Sequence, residues 1–220
     1  MITKYGLPQV VLYPGLIIIC MATLAVFFYP TGWLLPVESV LLLLAVWVVL
    51  FFRDPPRRII ADENILYAPC DGTVTEINTS GVEIRISMFL SLFNVHINRV
   101  PCSCEAIDIV YKKGEFRDAR DPESARLNES NTLSLARISE PREAITVRQV
   151  SGAVARRIVC DVKEGSTLHQ GERFGMIKFG SRTELIIPNG ANRELCVELG
   201  DKVKAGLTPL IRYVGSEFPG

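Results

Sequence analysis

Hydrophobic and polar positions divide this chain into two parts. Residues 10–28 and 33–52 are almost wholly apolar, each run close to the ~20 residues that a helix needs to cross a bilayer. Tyr29, Pro30, Thr31 and Gly32 between them have the composition of a tight turn, so the two runs predict a helical hairpin with both ends on one side of a membrane. Neither run reads as a removed signal peptide, because the first lacks a nearby small-residue cleavage site and is followed too soon by the second. Pro36 and Glu38 fall at the start of the second run, where an interfacial position or a kink tolerates them.

After residue 60 the period changes. Runs at 72–77, 81–86, 106–110 and 144–147 are alternating or β-branched and are separated by Gly, Asn and Pro, the pattern of strands joined by turns. No long 3.6-residue period occurs there, which predicts a mainly β soluble part. The polar stretch 115–131, with Asp118, Asp121, Pro122, Glu123 and Glu129, predicts an exposed loop or flap. A weak internal echo links 67–74 with 150–154, and 163–168 with 199–206. The turns of the second pair resemble those of biotinyl and lipoyl carrier domains. The expected architecture is therefore a flattened barrel or sandwich resembling a duplicated lipoyl-like (barrel-sandwich hybrid) domain, behind a transmembrane hairpin. No lysine stands out at a hairpin tip to be modified, so the likeness extends to architecture and not to function. The expected division is a membrane-anchoring hairpin with a juxtamembrane basic segment over 1–58, and a β domain over 59–220.

Charge adds an orientation. Lys+Arg and Asp+Glu are both 24, so no overall field draws the chain to nucleic acid. Arg53, Arg57 and Arg58 follow the second apolar run, against a lone Lys4 before the first and no basic residue in the turn. The positive-inside rule then places the soluble part on the cytoplasmic side of the cell (inner) membrane. These arginines read as topology determinants and headgroup anchors, and a contact of the cluster, Arg53 included, with the phosphate of a lipid substrate is compatible with that. The six cysteines show no CxxC pair and read as reduced thiols; with His96 and His169 the only histidines, a metal site is not expected.

Four segments carry a family resemblance in order along the chain. They are Phe51-Phe52-Arg53-Asp54-Pro55, Ala68-Pro69-Cys70-Asp71-Gly72, Asn94-Val95-His96-Ile97-Asn98-Arg99-Val100-Pro101, and the stretch 171–182 ending in Phe179-Gly180-Ser181-Arg182. Together they resemble the short form of the phosphatidylserine decarboxylase proenzymes. The resemblance implies cleavage between Gly180 and Ser181, giving a membrane-bound β chain (1–180) and a small α chain (181–220). It also implies a covalent pyruvoyl cofactor derived from Ser181 and a phospholipid substrate, phosphatidylserine, converted to phosphatidylethanolamine and carbon dioxide.

The chemistry of those residues is consistent with this. A serine hydroxyl can attack the preceding carbonyl, and glycine before it leaves that carbon uncrowded and permits strained backbone. A pyruvoyl ketone condenses with a substrate amine and serves as an electron sink. His96 is the candidate base or acid, since imidazole titrates near neutrality, and the resemblance makes Asp71 its orienting carboxylate. Without the family pattern, Asp71 reads as a turn residue and His96 as a structural histidine. Long-form relatives carry a second histidine three residues on, where this chain has Arg99, so either His96 serves both reactions or another base drives self-cleavage. His169 reads as a residue of an exposed turn. Arg182 is a candidate for the substrate carboxylate or phosphate, or a salt-bridged strand residue. The apolar stretch 87–93 is either core or a lip dipping into the bilayer. The alternatives are a decarboxylase of an archaeal ether-lipid serine phospholipid and a non-catalytic membrane-anchored lipoyl-like adaptor. The sequence leaves open whether the chain forms a homo-oligomer.

Overall fold

A computed structural model of the chain describes residues 1–121, 123–153, 157–178 and 180–214. Pro122 of the polar loop, Val154 of the internal echo, Phe179 of the cleavage segment and the last six residues of the expected α chain lie outside them. The chain forms two compact units, Met1–Pro56 and Arg57–Gly220.

In the first unit, helices α1 (Leu7–Phe28) and α2 (Leu34–Phe51) coincide with the two apolar runs. At 1.5 Å per residue the 22 residues of α1 span about 33 Å, enough for a hydrocarbon core of about 30 Å. The turn between them carries Phe28 and Trp33 edge to face, with ring centroids 5.2 Å apart, an amphipathic aromatic pair of the kind favoured at a membrane interface. At the other end the termini of the hairpin are tied together. Thr3 N donates to the Phe52 carbonyl (2.9 Å) and Asp54 N to that of Met1 (2.7 Å). A Cβ on Gly6 would stand 2.1 Å from the Phe52 ring, so this closure needs glycine there. Arg53 belongs to the same closure, and its Nη1 donates to the Leu50 carbonyl at the end of α2 (2.8 Å).

The second unit is mainly β. Its strands are β1 (Ile65–Tyr67), β2 (Gly72–Asn78), β3 (Glu83–Leu90), β4 (Ile97–Arg99), β5 (Cys104–Lys112), β6 (Ser130–Arg137), β7 (Ala144–Ser151), β8 (Arg157–Cys160), β9 (Thr167–Leu168), β10 (Arg173–Lys178), β11 (Ser181–Pro188), β12 (Arg193–Leu195), β13 (Lys202–Val203) and β14 (Pro209–Tyr213), with one helical turn, α3 (Ser124–Leu127). An eight-stranded antiparallel sheet has the order β13-β2-β3-β11-β7-β6-β5-β9, and two smaller sheets have the orders β4-β10-β8 and β1-β14-β12. β11 is central, paired with β3 from Ser181↔Leu90 to Pro188↔Glu83 and with β7 from Ser181↔Ser151 to Ile186↔Thr146.

Directly paired residues share a face of a sheet and successive residues alternate. One face therefore carries Thr183, Leu185 and Ile187 with Ile84, Ile86, Met88 and Leu90 of β3 and Ile145 and Val147 of β7. The apolar members of this set form the buried core. Ser181 sits at the edge of that face, on the first residue of its strand.

Of the apolar stretch 87–93, residues up to Leu90 are the end of β3, with Ser87, Met88 and Leu90 fully buried. Ser91–Phe93 is a turn closed by Asn94, whose Oδ1 accepts from Ser91 N (2.8 Å) and Ser91 Oγ (2.7 Å), and Phe93 is 76% exposed. The polar loop is folded back rather than splayed out. Asn128 Nδ2 donates to the carbonyls of Arg117 (2.9 Å) and Ser151 (2.8 Å), and Ala119 is buried.

Candidate active site

Ser181 is fully buried, and its Oγ has no hydrogen-bond partner among the described residues. Leaving a buried hydroxyl unsatisfied costs about 1–3 kcal/mol. Ser151, its direct partner on β7, is also fully buried with an unpartnered Oγ.

The residue before Ser181 takes a conformation that favours glycine. Gly180 has φ +64, a region that costs an L side chain roughly 1–2 kcal/mol. Its carbonyl oxygen points at Gly152. A Cβ built on Gly152 would lie 2.3 Å from that oxygen, 3.1 Å from the carbonyl carbon and 3.3 Å from the Ala119 Cβ. Gly152 is thus glycine because the bond to be attacked leans against it. A cavity of about 180 Å³ opens beside this bond, lined by Leu92, Ala119, Arg120, Gly152 and Gly180 among others. Arg120 is its cationic wall, 6.0 Å from the centre of the Phe89 ring and paired with Asp118 at 2.6 Å. That pairing, mainly through side-chain hydrogen bonding, lowers the Asp118 pKa to about 2.

His96 is fully buried, with Nδ1 3.0 Å from the Asn94 carbonyl oxygen. The chain leaves β3 at Leu90, the partner of Ser181, and passes Leu92, which lies 3.9 Å from where a Gly180 Cβ would stand. It returns as His96, whose carbonyl accepts from Ile177 N (3.3 Å). Two residues on, Asn98 Nδ2 reaches Thr183 Oγ1 (3.3 Å), two residues beyond Ser181. Asn98, two residues after His96, thus contacts the strand that begins at Ser181. Asn98 also belongs to a buried amide chain, Asn131 Nδ2 to Gln149 Oε1 (3.1 Å) and Gln149 Nε2 to Asn98 Oδ1 (2.9 Å), which fixes β4 against the large sheet.

Asp71 is buried, but its oxygens are engaged elsewhere. Arg57 donates Nη1 to Oδ1 and Nη2 to Oδ2, both at 2.7 Å, and Ala205 N donates to Oδ1 at 2.9 Å. The same Arg57 Nη1 donates to the Ala205 carbonyl (2.7 Å). Two residues before Asp71, the Pro69 carbonyl accepts from Arg99 N (2.9 Å) and Asn98 Nδ2 (3.4 Å), so the segment that Arg57 anchors also holds the strand following His96.

Arg99 is buried with Nη1 on the Gly171 carbonyl (2.8 Å). His169 is exposed in a turn whose Glu172 N donates to its carbonyl (2.9 Å). Arg182 lies on the face opposite Ser181, buried, with Nη1 3.8 Å from Glu184 Oε1. Arg53 lies in the first unit. Gly152, Arg57 and Arg120 escaped the sequence reading. Gly152 showed only as part of a weak echo, Arg57 as a topology charge and lipid-phosphate candidate rather than as the partner of Asp71, and Arg120 as one charge in a polar loop.

A family model described as phosphatidylserine decarboxylase matches residues 44–210. The chain is 38% identical over 216 residues to the phosphatidylserine decarboxylase proenzyme of Syntrophus aciditrophicus (strain SB), covering 95% of this chain and 96% of that one. It is 38% identical to the proenzyme of the same name from Trichlorobacter lovleyi, covering 96% of each chain. Identity to the proenzyme of that name from Magnetococcus marinus is 36%, over 99% of this chain and 97% of the relative.

Proposed function

The chain belongs to the phosphatidylserine decarboxylase family, and from that premise we propose that it converts phosphatidylserine to phosphatidylethanolamine and carbon dioxide with a pyruvoyl group made from its own Ser181. The observation that carries this reading is the buried, unpartnered Ser181 hydroxyl beside a glycine held at positive φ. Those residues fit the group: its formation requires a free nucleophile and a carbonyl with no side chain beside it, and a glycine at positive φ before a buried, unpartnered serine supplies both.

In self-cleavage Ser181 Oγ adds to the Gly180 carbonyl carbon, the C–N bond breaks, and the hydroxyl proton passes to the departing nitrogen. The amide becomes an ester. Loss of the Ser181 α-proton then expels Gly180 as a carboxylate, and water releases the nitrogen as ammonia. When formed, the pyruvoyl group supplies a ketone for the substrate amine and an electron sink for decarboxylation. We assign the proton transfers to His96, which is buried two residues before Asn98, whose amide reaches Thr183 on the Ser181 strand. Arg99 has no acceptor capacity, and His169 is exposed in its turn. Asp71 acts as a positioning residue. Fixed by Arg57, it holds the segment whose Pro69 carbonyl secures the strand after His96.

Arg120 is the cation we assign to the substrate carboxylate or phosphate, because it lines the cavity beside the reacting bond, and this role requires it to leave Asp118, its partner at 2.6 Å on the same wall. The expected headgroup role of Arg182 requires its side chain to leave Glu184, and that of Arg53 requires it to leave the end of α2. The two apolar helices are consistent with membrane anchoring. The excess of arginine after α2 supports a cytoplasmic face of the cell membrane for the β unit. The reading extends to an ether-linked serine phospholipid, since none of these groups addresses the tails.

The test is turnover on phosphatidylserine vesicles. The full-length protein should release carbon dioxide and accumulate phosphatidylethanolamine, and Ser181→Ala should do neither. Decarboxylation by Ser181→Ala, or none by the wild-type protein, would sink the proposal.

A further inference from the structure

The face of the large sheet opposite Ser181 is polar. Pairing across β5, β6, β7, β11 and β3 puts Lys112, Ser130, Thr132, Arg148, Glu184 and Arg85 on that side. A cavity of about 290 Å³ opens there, lined by Arg85, Lys112, Ala125, Arg126 and Arg148. Among the described residues, its lining is four cations and one methyl group, with no carboxylate.

The ion pairs of its arginines are long. Arg148 Nη1 is 3.4 Å from Glu184, Arg85 Nη2 3.8 Å from Glu83 and Arg126 Nη2 4.0 Å from Glu123. Charge-assisted bonds run at about 2.7–2.9 Å, the distance that Arg57 achieves with Asp71. Arg148 Nη2 also donates to the Ala125 carbonyl and to Ser130 Oγ, and Lys112 Nζ to the Arg126 carbonyl (3.1 Å). Arg85 Nε is buried with no acceptor among the described residues. Four like charges converging on one cavity repel one another, and an anion between them turns that repulsion into attraction. Guanidinium forks match the edges of a tetrahedral oxyanion.

We propose that this cavity binds a phosphate oxyanion, as inorganic phosphate or as the phosphodiester of an anionic headgroup, at a site separate from Ser181. Bound there, it ties α3, which carries Ala125 and Arg126, to β3, β5 and β7.

The test is calorimetric titration of the full-length protein in detergent at constant ionic strength, with inorganic phosphate in one arm and glycerophosphoglycerol in the other. The wild-type protein should bind at least one of them saturably. Lys112→Ala/Arg126→Ala, at two exposed positions, should weaken that binding roughly tenfold or more with its circular dichroism unchanged. Tighter inorganic phosphate identifies the free ion as the ligand, and a tighter diester identifies a headgroup. If the double variant does not fold, Arg126→Ala alone should show a measurable weakening. No saturable binding of either ligand by the wild-type protein overturns the proposal. So does binding that persists unchanged in a folded variant.

Discussion

Gly152 and Gly180 meet across the β7–β11 edge, and their contact is the most sensitive point at the level of single residues. Adding one methyl at Gly152 puts a carbon 2.3 Å from the Gly180 oxygen, so backbone at the reacting bond must shift. A misplacement of about 1 Å can cost 10²-fold in rate. Gly152→Ala is expected to slow self-cleavage by roughly that factor while the β unit still folds, read as the fraction of intact chain on a denaturing gel over time. Arg57→Ala is expected to destabilise the β unit instead. It leaves a carboxylate that is only 11% exposed without its bidentate partner, a loss of about 3–5 kcal/mol for a buried pair, measurable as a lower denaturant midpoint. Ser181, Gly180 and His96 could be proposed from sequence because they sit in short contiguous segments that carry the family resemblance. Gly152, Arg57 and Arg120 could not, because each acquires its meaning from a residue far away in sequence. Asp71 was found by the family pattern, but its bond to Arg57 was not, since nothing in sequence links positions 57 and 71.

Among the elements, β2, β3, β5 and β7 were read from alternating or β-branched runs, but the equally long β6 and β11 were not. The short strands β4, β8, β9, β12 and β13 were missed. Two to four residues give too little period to distinguish a strand from a loop, and their pairing is decided by tertiary contact. β10 carries a test of its own. Lys178 is buried, which lowers its pKa from the ordinary 10.5, and neighbouring Arg157 adds to the effect. The unfolded lysine therefore binds its proton at a higher pH than the folded one. Stability from this group is full above pH 10.5 and is lost as pH falls from there toward the folded-state value. Lys178→Met is expected to flatten that alkaline rise, read from denaturant midpoints between pH 8 and about 10.5.

For the whole molecule, the sequence yielded the hairpin and a mainly β remainder, since runs of 19 or 20 apolar residues and their sudden end at Arg53 are visible without any structure. The pairing that makes β11 central was not visible. It has a direct consequence: β11 begins at Ser181, so a cut before it leaves the new chain's first strand hydrogen-bonded to β3 on one side and β7 on the other. The two products are expected to co-purify under native conditions and to part only in denaturant. The most direct measurement of the central claim is therefore denaturing mass spectrometry of the purified full-length protein. The expected result is two chains, 1–180 and 181–220, the smaller blocked at its N-terminus and lighter by one ammonia than a chain starting with serine. A single intact chain in a preparation that decarboxylates phosphatidylserine would contradict it.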